Sequence, residues 1–193
     1  MNDSSLDPLS LTSDVIPTPL GEMLAIACDN GIVLLDFQIR DNFDGEVQRL
    51  KGRLALRGRI ATVVPGRHPH LELLRAEVTE YFAGDRRDFT VPVAPNGTDF
   101  EMRAWRFLQM IPYAQTRSYG QQAAAIGTPN AARAVGRANG ANFIGIVIPC
   151  HRVIGAGGSL TGYGGGIDRK RWLLDHERKI SGALTEQPAL SLG

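Results

Sequence analysis

The segment Ile148-Pro149-Cys150-His151-Arg152-Val153 concentrates residue types that do chemistry. Proline suits the first turn of a helix, where its missing N–H would have no partner and its fixed dihedral is already helical. Cys150 would then sit near a helix N-terminus, where unpaired N–H groups favour a thiolate. His151 could take the thiol proton, and an acid such as Glu177 could orient the imidazole. Adjacent residues on a helical turn point about 100° apart. Cys150 and His151 are therefore expected to communicate through a bridging water. The alternative is a buried, inert cysteine beside a surface histidine, since free cysteine often behaves as a small hydrophobe.

Seven glycines follow, at 155, 157, 158, 162, 164, 165 and 166. No Gly-x-x-x-x-Gly-Lys-Ser/Thr pattern is present, which argues against a phosphate-binding loop. The glycines fit either a backbone that approaches a flat ligand closely or a flexible connection.

These residues need a scaffold. The chain has 193 residues, 43% of them hydrophobic, enough for one or two small domains with a real core. No apolar run reaches the roughly 18 residues of a membrane span, and Met1 to Asp14 has no signal-peptide pattern. Cys28 and Cys150 are too few for a disulfide framework, so a reduced, cytoplasmic chain is expected. The formal net charge of +1 hides an asymmetry: residues 1–95 sum to −4 and residues 96–180 to +6. A basic half is a candidate nucleic-acid surface, although charge alone does not separate that from chance scatter.

Residues 1–16 read as a loose polar lead, and Thr18-Pro19-Leu20-Gly21 as a turn. Strands are expected over Met23 to Ala27 and Ile32 to Phe37, around Asp29-Asn30-Gly31. The basic stretch 46–60 reads as a solvated helix or loop face, with a DNA-facing surface as the alternative. Leu71 to Phe82 has helical periodicity that stops at Gly84, and the Pro/Gly-rich stretch 91–97 marks a boundary. A helix capped by Thr98 or Asp99 should bury Phe100, Ala104, Phe107, Leu108 and Ile111. Two short helices follow, Gly120 to Ile126 and one opened by Thr128-Pro129 that runs to about Ala138. This pair is similar to a helix-turn-helix. Ile144 to Ile148 reads as a buried strand, Asp168 to Glu177 as a last helix with Trp172, Leu173 and His176 facing inward, and 181–193 as a flexible tail.

Several motifs together carry a resemblance. Asn130-Ala131-Ala132-Arg133-Ala134-Val135-Gly136 through Asn142, then Ile148-Pro149-Cys150-His151-Arg152-Val153, resemble the signature of O6-alkylguanine-DNA alkyltransferases. Ser118-Tyr119-Gly120 and Trp172-Leu173-Leu174-Asp175-His176-Glu177 match in order and spacing. Thr18-Pro19-Leu20-Gly21 and the following strand match the N-terminal domain more loosely, so the resemblance spans roughly residues 17–180.

The resemblance implies an α+β protein of two domains. Residues 1–95 would form a ribonuclease-H-like antiparallel sheet with helices, and 96–180 a winged-helix-like, helix-turn-helix domain that binds DNA and accepts the alkyl group. It implies single-use repair without a cofactor. O6-alkylguanine, and less efficiently O4-alkylthymine, would be flipped from duplex DNA, and the Cys150 thiolate would keep the alkyl group as a thioether. Glu177, His151 and a water would deprotonate Cys150, and Asn142 would brace the active-site turn. Tyr119 would rotate a phosphate and donate to the leaving guanine. Arg133 would fill the vacated stack, with Ala132, Ala134, Gly136 and Arg137 against the minor groove. The carbonyls of Cys150 and Val153 would accept from the exocyclic amine, and Tyr163, Gly164 and Gly145 would shape the pocket. The expected molecule is a monomer with no membrane partner, and cooperativity along DNA stays open.

Departures accompany the match. Gly164 stands where many relatives have a serine that helps to bind the guanine oxygen, Phe143 follows Asn142 where proline is common, and Gly145 replaces a proline of some relatives. Some relatives hold zinc through two cysteines and two histidines. Here Cys28 lacks a second cysteine partner, with Val33 near that position, so no metal is expected. Two other classes compete: a cysteine hydrolase using Cys150, His151 and Glu177, and a winged-helix regulator without chemistry.

Overall fold

The computed structural model describes residues 9–37, 43–56 and 58–182. The tail expected at 181–193 falls almost entirely outside them. The N-terminal half is built on β2 (Met23–Cys28) and β3 (Gly31–Phe37), which pair antiparallel. All six residues of β2 are buried, as befits an inner strand covered on both faces. Gly31 adopts φ +131°, and a Cβ there would stand 2.4 Å from the Pro92 carbonyl oxygen. Only glycine lets the 92–94 segment lie against Ile32.

Residues 9–16 are not a loose lead. They form β1 (Leu9–Ile16), which pairs antiparallel with β2 and parallel with β4 (Ala61–Pro65). The sheet order is β3-β2-β1-β4. The expected antiparallel sheet is thus mixed, with three antiparallel strands and one parallel edge strand. Ser13 hid β1 from the apolar pattern: it sits on the buried face at 3% exposure between Leu11 and Ile16. Helices α1 (Phe43–Ala55) and α2 (Pro69–Ala83) pack on the sheet. Val47, Leu50 and Leu54 of α1 are buried, so only part of the basic stretch is solvated. Gly84 ends α2 in a left-handed cap, as its position suggested.

In the second half, α3 (Asp99–Gln109) begins with a capping box between Thr98 and Glu101. Ala104, Leu108 and Ile111 are buried, while Phe100 and Phe107 are half-buried. Periodicity missed Trp105, which is 2% exposed and donates its indole N–H to the Ala138 carbonyl at 2.8 Å. Helices α4 (Tyr119–Ala125) and α5 (Ala132–Gly140) pack together. Their buried side-chain amides, Gln122 and Asn139, exchange hydrogen bonds of 2.8 and 3.1 Å. Helix α5 does not open at Thr128-Pro129. The Thr128 N–H and hydroxyl both bond back to the Ala123 carbonyl and close α4, and α5 starts only after Ala131.

The strand expected over Ile144–Ile148 is also absent. Ile144 makes a single bridge to Leu35 of β3, and Ile146 then turns the chain with φ +67°. The segment is apolar because the domains close over it. Its backbone bonds go to the edge of β3: Leu35 N–H donates to Phe143 O, and Gly145 N–H to Leu35 O, both at 2.7 Å. Short strands β5 (Arg117–Ser118) and β6 (Val153–Ile154) pair in parallel, and α6 (Ile167–Ser181) closes the fold. Leu173 is buried. Trp172 and His176 are half-buried and stack on each other at 4.8 Å against Phe82 of α2.

Candidate active site

Glu177 of α6 is the hub of the site. It is fully buried, and four residues from three segments aim donors at it. His151 Nε2 lies 2.9 Å from Oε1. Arg152 reaches the carboxylate through Nε and Nη2 at 2.9–3.2 Å. The Tyr81 hydroxyl donates at 2.9 Å from α2, and the Ala114 N–H at 2.9 Å. Ala114 holds φ +61°, a strained conformation for a non-glycine residue that aims its N–H inward. Burial pushes the Glu177 carboxyl up, but His151 and Arg152 more than offset this and hold it well below the usual range.

His151 has no exposed surface. Burial lowers its basicity, and Glu177 only partly restores it. The imidazole is therefore neutral at pH 7. An ionised carboxylate only accepts, so Nε2 carries the proton and Nδ1 keeps its lone pair. Nδ1 is buried without a hydrogen-bond partner among the described residues. This lone pair is where the imidazole can take up a proton.

Cys150 opens a turn of 3₁₀ helix, Cys150–Arg152. This corrects the expected helix N-terminus: three residues cannot collect the aligned N–H groups that stabilise an anion. Burial pushes the Cys150 thiol up, Asp36 adds to the rise, and Asn142 and Lys170 oppose it. The resting group is a thiol. Iodoacetamide labelling of Cys150 is accordingly expected to climb with pH beyond the ordinary value of 9.0. A plateau near pH 7 would show a resting thiolate instead.

Asn142 ties the turn together. Its Nδ2 donates to Ile148 O at 2.9 Å and its Oδ1 accepts from Ile144 N–H at 3.0 Å. Beside Cys150 lies a cavity of about 120 Å³, lined by Asn142, Gly145, Tyr163 and Gly164, with Asp36 and Arg49 from the N-terminal half. Tyr119 stands to one side, at the start of α4. Its hydroxyl donates to Thr161 O at 3.1 Å, and burial keeps it a phenol. Val153 is buried, and its carbonyl already accepts from Lys170 Nζ at 2.6 Å. Burial pulls that ammonium down to about 8. On α5, Arg133 and Arg137 are exposed one helical turn apart, while Ala132, Ala134 and Gly136 are half-buried. Gly136 faces the Tyr119 ring.

The fold thus brings Cys150, His151, Glu177, Asn142, Gly145, Tyr163 and Gly164 together and sets α5 as an outer face. Sequence reasoning missed Tyr81, Ala114, Lys170, Asp36 and Arg49. Tyr81 was legible in part, because a phenol on a buried stripe needs a partner for its hydroxyl.

Comparison with known proteins follows the same lines. Residues 11–95 match the family model described as "6-O-methylguanine DNA methyltransferase, ribonuclease-like domain". Residues 99–179 match the "DNA binding domain" of the same description. The chain is 44% identical over 172 residues to the methylated-DNA–protein-cysteine methyltransferase of Shigella flexneri, covering 88% of this chain and 96% of that protein. It is 60% identical over 103 residues to the enzyme of that name from Mycolicibacterium paratuberculosis, a match over 53% of this chain and 62% of the relative's length. Among solved structures, the Mycobacterium tuberculosis O6-methylguanine methyltransferase superposes with TM-score 0.74 at 38% identity, covering 93% of this chain and 96% of that one. A structure of the tuberculosis protein in complex with DNA superposes with TM-score 0.70 at 38% identity, covering 88% of this chain and 94% of that one.

Proposed function

The chain belongs to the 6-O-methylguanine DNA methyltransferase family, and we propose that it repairs DNA by moving an alkyl group from O6 of guanine to Cys150. The observation that carries this reading is the buried Glu177–His151 pair, which makes Nδ1 the basic nitrogen one residue from a thiol at a cavity. The damaged base is flipped into the cavity. The thiol proton passes through one water to His151 Nδ1, and Glu177 stabilises the imidazolium. The thiolate attacks the alkyl carbon, the carbon–sulfur bond forms, and the carbon–oxygen bond breaks with its electrons going to the base. Tyr119 exchanges its carbonyl partner for the guanine and stabilises that charge by donation. The thioether is not displaced by water, so each molecule acts once.

Asn142 holds the turn, and Tyr163, Gly164 and Gly145 form the pocket wall. Gly164 offers only a backbone N–H where a serine hydroxyl would add a donor. The Val153 carbonyl has a second lone pair for the exocyclic amine. Arg133 fills the vacated stack, with Ala132, Ala134, Gly136 and Arg137 along the DNA groove. O4-alkylthymine is a poorer substrate, and the protein acts as a monomer in the cytoplasm. Residues 1–95 serve as scaffold and 96–180 as the reacting unit.

Intact mass measurement after mixing with duplex bearing O6-methylguanine tests the reading. One methyl gained per molecule, on Cys150, supports it. An unchanged mass favours a DNA-binding regulator, and repeated turnover of an ester favours a hydrolase. Arg133→Ala is expected to slow repair of duplex at least about tenfold more than transfer from the free alkylated base. Equal losses would remove Arg133 from the stack.

A further inference from the structure

One guanidinium ties the wall of the Cys150 cavity to the N-terminal half. Arg169, in the first turn of α6, donates through Nε to the Leu20 carbonyl and through Nη1 to the Gly165 carbonyl, both at 2.9 Å. Its guanidinium carbon lies over the Phe37 ring of β3, 4.7 Å from the centroid. Gly165 and Phe37 both line the cavity, whereas Leu20 belongs to the turn between β1 and β2. Lysine could not make these three contacts together, because they need a planar fork with several donors and a face that stacks.

The wall is otherwise weakly braced. A Cβ at Gly164 or Gly166 would meet nothing within 4 Å, so no close neighbour supports the backbone there. Tyr119 and Lys170 anchor the near end of the loop, where both donate to the Thr161 carbonyl. At Gly165 the brace passes to Arg169, and there the fit is tight. A Cβ would stand 2.7 Å from Tyr163 Cε1 and 3.0 Å from Phe37 Cδ2. Arg169 thus fixes Gly165 between the two aromatic rings of the cavity, and with it the distance between those rings. The alkyl group enters this cavity with its base. A methyl adds little to the guanine, but a benzyl group adds a ring for which the wall must give.

We propose that Arg169 is a positioning residue that limits the size of the alkyl group Cys150 accepts, by holding the 163–165 wall against the N-terminal half. The proposal rests on the alkyl-transfer reading of Cys150. Its test is single-turnover transfer from duplexes carrying O6-methyl- and O6-benzylguanine to the full-length wild type, Arg169→Ala and Arg169→Lys. The benzyl-to-methyl rate ratio is expected to rise about tenfold in Arg169→Ala, with the methyl rate itself within about threefold of wild type. Arg169→Lys keeps the charge but not the fork, and must show most of that rise. Arg171→Ala, which removes a neighbouring cation paired only with Asp168 among the ion pairs of α6, must leave the ratio unchanged. Thermal melting checks that each variant folds. A ratio that stays level or falls in a folded Arg169→Ala, a wild-type ratio in Arg169→Lys, or a rise in Arg171→Ala overturns the size limit while alkyl transfer stands. Failure of the wild type to take up methyl overturns the reading of Cys150 and this proposal with it.

Discussion

Replacing Cys150 with serine is expected to abolish alkyl transfer while leaving affinity for DNA within about twofold. His151 is neutral and buried. It can draw a proton from a thiol but not usefully from an alcohol, which also attacks saturated carbon poorly. The rate should fall by more than about a thousandfold. The exposed cations of α5, Arg133 and Arg137, are on another element and untouched by the change. Intact mass after incubation with methylated duplex and a gel-shift titration read the two properties separately. Loss of binding together with transfer would mean that the sulfur holds the fold.

Glu177→Gln should be costly twice over. Two oxygens now accept from His151, Arg152, Tyr81 and Ala114. A carboxamide keeps one acceptor, turns a donor toward a cluster of donors, and leaves the Arg152 guanidinium uncompensated at 6% exposure. Breaking one partner of a buried pair costs about 3–5 kcal/mol. The variant should unfold at markedly lower denaturant, and transfer should slow at least about a hundredfold because the imidazolium loses its counter-charge. The pH dependence follows from the sign of the shift. A carboxyl held below its ordinary value contributes stability that is present above that value and lost as pH falls through and below it. The ordinary value here is 4.5. Wild-type stability should therefore drop on acidification below about pH 4.5, and the glutamine variant should lack that part of the drop. Parallel curves for the two proteins would remove Glu177 as the acid-sensitive group.

The chemistry was more legible than its supports. Cys150, His151, Asn142 and Glu177 could be named because nucleophile, base and orienter are distinctive residue types. The hairpin at Asp29-Asn30, the stop of α2 at Gly84 and the cap of α3 at Thr98 were legible because turns and caps are local events. Four features were not. β1 was hidden by the polar Ser13 on its buried face. The start of α5 was misplaced because Thr128, a capable cap, spends its N–H and hydroxyl on the previous helix. Ile144–Ile148 carried a strand's composition but earned its burial by lying between domains. The thiol's ionisation depends on burial and on Asp36 and Lys170, 114 and 20 positions away by their numbers, which no local pattern reveals. Tyr81 was legible only in part: its periodicity marked it as core, and its role as a donor to Glu177 exists only once α2 meets α6.

The grip of β3 on the 143–145 turn is made by peptide groups alone, through the N–H and carbonyl of Leu35 and the N–H of Gly145. Side-chain identity is irrelevant to those two bonds, so the N-terminal half can diversify widely in its amino acids and still present the same edge. An imino acid is the exception. Proline at 35 or 145 would delete a donor and loosen this grip without altering any reacting group, and chimeras that exchange the N-terminal half should survive where the incoming half keeps that edge complete and a phenol to donate to Glu177.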